Sequence, residues 1–142
     1  MGSAGLTNEQ LSRLKDTMVA INTYRDNIAK QMNQPVALSD TIGHLAVKVD
    51  DLSDLAFIVE GYAENYKADL YNALKDTVTM SRGKEVQMGV TQIKEEIKRD
   101  KTAIENDLLV DKLKQKVKNM TMLMTICQSN LRVKAGAHEG KY

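Results

Sequence analysis

Paired carboxylates on one helix face are the raw material of metal and acid–base chemistry, and this chain offers two sets. Asp50, Asp51 and Asp54 cluster in one stretch, and Asp107 and Asp111 in another. Asp50/Asp54 and Asp107/Asp111 are each four residues apart, so each pair shares one side of a helix. A di-metal bundle adds a Glu-x-x-His element to such carboxylates, and the sequence contains none. His44 and His138 have no Cys, Ser or carboxylate spaced to build a nucleophile system. Arg82-Gly83-Lys84 lacks the second glycine, the Ser/Thr and the preceding strand of a phosphate loop. The expectation is a chain with no catalytic residues, no metal and no cofactor, and so not an enzyme.

The cations are a stronger lead. Arg82, Lys84, Lys94, Lys98, Arg99 and Lys101 fall within twenty residues. Lys94 and Lys98 lie one helical turn apart, with Lys101 one step further round. Such a group can neutralise phosphates, although Glu85, Glu95, Glu96 and Asp100 are interleaved and offer local pairs. The net charge of +1 hides an asymmetry: residues 1–81 hold 7 Lys/Arg against 11 Asp/Glu, and residues 82–142 hold 13 against 8. That polarity suits a polyanion-binding C-terminal half, or pairing of acidic and basic surfaces between subunits. Single-strand binders add stacking aromatics; Tyr62, Tyr66 and Tyr71 fall on the second helix, with Tyr62 and Tyr66 committed to an apolar seam, so one chain alone should bind nucleic acid weakly and a ring of several would gain by avidity.

Helices must position these residues. The chain has 142 residues, no Trp, one Phe, one Pro and eight Met, with 27% charged, so its core is Leu, Ile, Val, Met and Ala, as in helical hairpins and bundles. Thr7-Asn8-Glu9-Gln10 reads as a capping box opening a helix over about 8–33, with the stripe Leu11, Leu14, Met18, Ile21, Ile28, Met32. Arg25 stands at the next apolar place, its stem packing and its guanidinium reaching outward. Gln34-Pro35 ends this helix. Ser39 or Asp40 caps a second one over about 40–80, with the seam Leu45, Val49, Leu52, Val59, Tyr66, Leu70. Ala56, Ala63 and Ala73 fall between those positions, and with Gly61 they let another helix approach closely. Residues 81–90 read as a loop. Thr91 caps a short helix through Arg99, Asp100 is a break or a new cap, and a fourth helix runs from Lys101 to Lys134 with Gly136 as terminator. No stretch demands a strand.

The clearest pattern lies in that last helix: Val110, Leu113, Val117, Met120, Met124, Cys127 and Leu131 step by three and four residues, the spacing of one buried face. We read these seven as core and oligomerisation residues. Cys127 is the sole cysteine, sits on the stripe and allows no intrachain disulfide, which fits a reducing, cytoplasmic setting. No apolar run approaches the roughly 18 residues of a membrane span, and Met-Gly-Ser-Ala-Gly is not a signal peptide. The fold expected is all-α: an elongated helical hairpin or bundle with long coiled-coil-like helices, oligomeric. Its parts are an N-terminal amphipathic helix over 1–35, a hairpin and oligomerisation domain over 36–136, and a disordered tail over 137–142.

This layout resembles small phage recombination mediators of the UvsY type, over about residues 40–134. Tyr66-Lys67-Ala68-Asp69-Leu70 is similar to that family's Leu-Lys-Ala-Arg-Leu motif for single-stranded DNA, with Asp69 where the family has a base. Leu123-Met124-Thr125-Ile126-Cys127-Gln128-Ser129-Asn130-Leu131 is similar to its Leu-Leu-x-x-Cys-x-x-x-Leu run, and Val90-Thr91-Gln92-Ile93-Lys94 resembles the start of a family helix. The resemblance implies a homo-oligomeric ring that binds single-stranded DNA. It further implies that the ring helps a RecA-like recombinase displace a single-strand-binding protein. Lys67 joins the candidate DNA contacts on this ground. The acid at Asp69 shifts weight to Arg82, Lys84, Lys94, Lys98, Arg99 and Lys101. The alternative is a helical structural or interaction protein with no nucleic-acid binding, such as a virion component, an adaptor or an inhibitor of a host protein.

Overall fold

The computed structural model describes the backbone of residues 4–139, and the side chains of residues 4–134 other than those of Thr79 and Ser81. Its elements are α1 (Asn8–Lys30), α2 (Pro35–Lys75), β1 (Val78–Ser81), β2 (Lys84–Gln87), α3 (Val90–Arg99) and α4 (Lys101–Glu139). The chain is thus predominantly α-helical.

The starts of α1, α2 and α4 have local causes. At α1 the capping box forms: Thr7 Oγ1 accepts from the Gln10 amide at 3.1 Å, and Gln10 Oε1 accepts from the Thr7 amide at 2.9 Å. Pro35 does not merely end α1; it is the first residue of α2, five residues ahead of Asp40. The Gln34 carbonyl accepts from Leu38 at 2.8 Å, so Pro35 occupies the position where a missing amide costs nothing. Thr91 is not a cap either, since Gly89 precedes α3 without a side-chain bond. Asp100 does cap α4, its Oδ2 accepting from the Ala103 amide at 3.0 Å. Gly136 terminates nothing, because α4 continues to Glu139. Of the tail expected to be disordered, 137–139 are helical and 140–142 lie outside the described residues.

The chain divides into two compact units, and α2 and α4 contribute residues to both. Unit 2 holds residues 7–56 and 113–139 of the described chain. Here α1 and the first part of α2 run antiparallel: Arg13 pairs with Asp51 at 3.2 Å, Tyr24 stacks on His44 at 5.9 Å, and Thr41 Oγ1 donates to Gln31 Oε1 at 2.6 Å. The last part of α4 runs alongside α1, with Lys116 Nζ donating to Asn22 Oδ1 and Lys134 Nζ to the Met32 carbonyl, each at 2.7 Å. Ile21, Ile28, Leu38, Leu45, Leu52, Leu55, Leu113 and Cys127 are buried in it. Burial at about 25 cal/mol per Å2 of apolar surface is the main term holding such helices together.

Unit 1 holds residues 4–6 and 57–112. Val59, Ala63, Ile93, Ala103 and Val110 are buried there, together with Asn106. Ala4 and Leu6 are buried too, a role for the first residues that periodicity did not signal. Gly5 has φ +82° and lies so close to Tyr62 that an added Cβ would stand 2.6 Å from its ring, so only glycine fits this turn. Gly61, expected to admit a neighbouring helix, faces open space.

Candidate nucleic-acid interface

The stretch 81–90 is not a simple loop. Beyond the end of α2, Val78 pairs with Gln87, Thr79 with Val86, Met80 with Glu85 and Ser81 with Lys84 in an antiparallel hairpin. Its two-residue turn is Arg82-Gly83, with φ +53° and +78°. Positive φ at both central residues is the type I′ geometry that matches strand twist, and it favours Asn or Asp before Gly. Arg82 has a Cβ and no short polar side chain to offset the left-handed conformation. The β2 residues are exposed throughout.

The seven cations expected to meet DNA divide into two sets. Lys67 Nζ lies 3.1 Å from Asp107 and 3.8 Å from Glu64. The Asp107 carboxylate holds its pKa above the ordinary lysine value, against the opposing effect of burial. Lys67 is therefore a tie between α2 and α4 within unit 1. Lys98 pairs with Glu95 at 3.4 Å, Arg99 with Glu96 at 3.9 Å and Lys101 with Glu105 at 4.0 Å, all on the helix surface. Arg82, Lys84 and Lys94 are exposed and, among the described residues, have no carboxylate within ion-pair distance. These three belong to the hairpin and α3 of unit 1.

The three tyrosines also differ. Tyr62 packs against Gly5. Tyr66 donates from its hydroxyl to Asp100 Oδ2 at 2.7 Å, and that bond raises its pKa. Tyr71 lines a solvent-open groove of about 430 Å3 in unit 1, with Glu64, Lys67, Ala68, Asn72 and Ile97.

The apolar stripe of α4 lies inside the chain. Val110, Leu113, Met120 and Cys127 are buried, and Val117, Met124 and Leu131 are half-buried. Burial pushes the Cys127 thiol up from its ordinary pKa. Large apolar side chains left exposed on α4 are others, including Leu108, Met122 and Ile126. Asp50, Asp54 and Asp111 are exposed, and among the described residues no three His, Cys, Asp or Glu come together as metal ligands. Among the described residues no helix is long and apolar enough to cross a membrane.

These features define a helical chain carrying a cation-tipped hairpin. Comparison with protein-family models, with curated proteins and with solved structures found no match.

Proposed function

We propose that this chain is a non-enzymatic, single-stranded-DNA-binding recombination mediator. In this reading it works in the cytoplasm as a homo-oligomeric ring, without a cofactor, and helps load a RecA-like recombinase against a single-strand-binding protein. The observation that carries DNA binding is the hairpin tip. An arginine sits at a turn position whose backbone disfavours it, beside Lys84 and near Lys94 in sequence, with no acidic partner for any of the three among the described residues. A residue held against its local preference points to a use for its side chain. The loading role rests on the resemblance of residues 40–134 to the UvsY type.

The test is fluorescence anisotropy with a labelled oligothymidylate across a salt series. Each phosphate neutralised on a single strand adds about 0.7 to the slope of log affinity against log salt. Replacing Arg82, Lys84 and Lys94 together by Gln should lower that slope by about 2 and weaken binding at all sequences alike. Binding that keeps the wild-type slope after the triple substitution would remove the hairpin and α3 from the site.

The alternative, a helical interaction protein without nucleic-acid binding, is favoured by a different observation. Phe57 is 77% exposed on α2 and Leu108 63% exposed on α4. It expects no salt-dependent DNA binding at all.

A further inference from the structure

The groove of unit 1 between α2 and α3 has two unlike ends. Its volume of about 430 Å3 falls among small-ligand sites of roughly 300–1,000 Å3. At one end Lys67 is neutralised by Glu64 and Asp107. Towards the other, Lys75 follows Tyr71 by one turn on α2, and Lys94 precedes Ile97 by one turn on α3. Neither lysine has an acidic partner within ion-pair distance among the described residues. Tyr71 is half-buried, and its hydroxyl and ring have no hydrogen-bond or stacking partner among the described residues. Ala68 and Ile97 give the groove its apolar wall.

We infer that this groove is a nucleobase site in which Tyr71 stacks on one base of a single strand while the flanking phosphates meet Lys75 and Lys94. The inference rests on the DNA-binding reading above and supplies the aromatic contact that a purely cationic surface lacks. A single strand alternates a flat ring with an anion. The groove offers the same two elements, an aromatic ring and, one turn further along each of α2 and α3, a lysine with no ion pair among the described residues. Stacking on one aromatic tolerates any base, because every base has a π-face. Asn72, also in the groove, brings an amide that both donates and accepts at a base edge.

The test uses two labelled strands of about 20 nucleotides at about 100 mM salt, an oligothymidylate and a strand of the same length with abasic sites throughout, which keeps the phosphates and lacks the rings. The wild-type chain should bind the abasic strand about tenfold more weakly. Tyr71→Leu, which keeps apolar bulk, should bind both strands at that weaker level, and Tyr71→Phe should match the wild type. Circular dichroism checks that the variants stay helical. If Tyr71→Leu unfolds, Tyr71→Trp decides the matter: as the sole Trp of the chain its fluorescence should be quenched by the oligothymidylate and not by the abasic strand, and equal behaviour with both strands overturns stacking at this residue. Equal wild-type affinity for both strands, or full affinity in a folded Tyr71→Leu, overturns the base site and leaves the DNA-binding reading standing. A wild-type chain that binds neither strand overturns both.

Discussion

Tyr66 and Lys67 are adjacent in sequence and meet two different carboxylates of unit 1. The phenol donates to Asp100, which also caps α4, and the ammonium pairs with Asp107, nearly two turns on from that cap. Both pKa values are raised, for Tyr66 chiefly by the bond to Asp100 and for Lys67 chiefly by the bond to Asp107. A group whose folded pKa lies above its unfolded value stabilises the fold below the unfolded pKa, and that stability is lost as pH rises through the folded one. The ordinary values are 10.0 and 10.5, so the loss falls on the alkaline side. We expect the urea midpoint to decline from about pH 9.5 upward, and the decline to be shallower in Tyr66→Phe. A wild-type midpoint that stays level through that window would show that neither carboxylate matters to stability. Lys67 also illustrates what spacing conceals. The resemblance of its motif marks it as a DNA contact, whereas its neighbour across the fold, forty residues on, makes it a tie. Asn106 is equally invisible: it continues the α4 stripe three residues after Ala103 and four before Val110, 6% exposed, with its amide nitrogen buried and without a partner among the described residues. A polar residue in such a seam costs stability and fixes register.

At the scale of elements, the helices were legible and the hairpin was not. Thr7 to Gln10, Asp100 and the stripe of α4 are all local signals, carried by residues three or four apart, and the structure realises each. The hairpin has strands of four residues, too short for alternation to register, and Arg82 stands where turn chemistry favours Asn or Asp. Pro35 signals a stop because its ring bars a helix before it; the same ring suits the first turn of the helix after it. The α2 glycines belong here too. The helix runs unbroken through Gly43 and Gly61, and a Cβ at either would meet nothing within 4 Å. Glycine in a helix interior costs about 0.5–1 kcal/mol relative to alanine. Gly43→Ala and Gly61→Ala should therefore each raise the unfolding free energy by about that amount in chemical denaturation. A destabilising result at Gly61 would mean that another helix packs on that face, the close approach its small size suggests.

For the whole molecule, the question is which apolar surface a ring would use. The sequence offered one stripe and two uses for it, core and subunit contact. The structure places Leu113, Met120 and Cys127 inside unit 2, at 2%, 6% and 1% exposure, so within the single chain this stripe is already covered. Periodicity cannot distinguish these uses, because the same three- and four-residue steps serve a helix of the same chain or of another. An assembly of copies would draw on other side chains, and in unit 2 Met122 and Ile126 are exposed on α4 at 54% and 56%. The two sets respond differently to a charge. Leu113→Asp buries an unpaired carboxylate in the core, a change that costs several kcal/mol, and should lower helicity and the thermal midpoint whatever the oligomeric state. Met122→Asp with Ile126→Asp should leave helicity and the midpoint of the monomer nearly unchanged, since both side chains already meet water. If copies assemble through that face, the same pair of substitutions lowers the mass measured by light scattering to that of one 15.9 kDa chain. A wild-type mass already equal to one chain, with and without the oligonucleotide, would remove the ring from the proposed function and leave DNA binding to a single hairpin and groove.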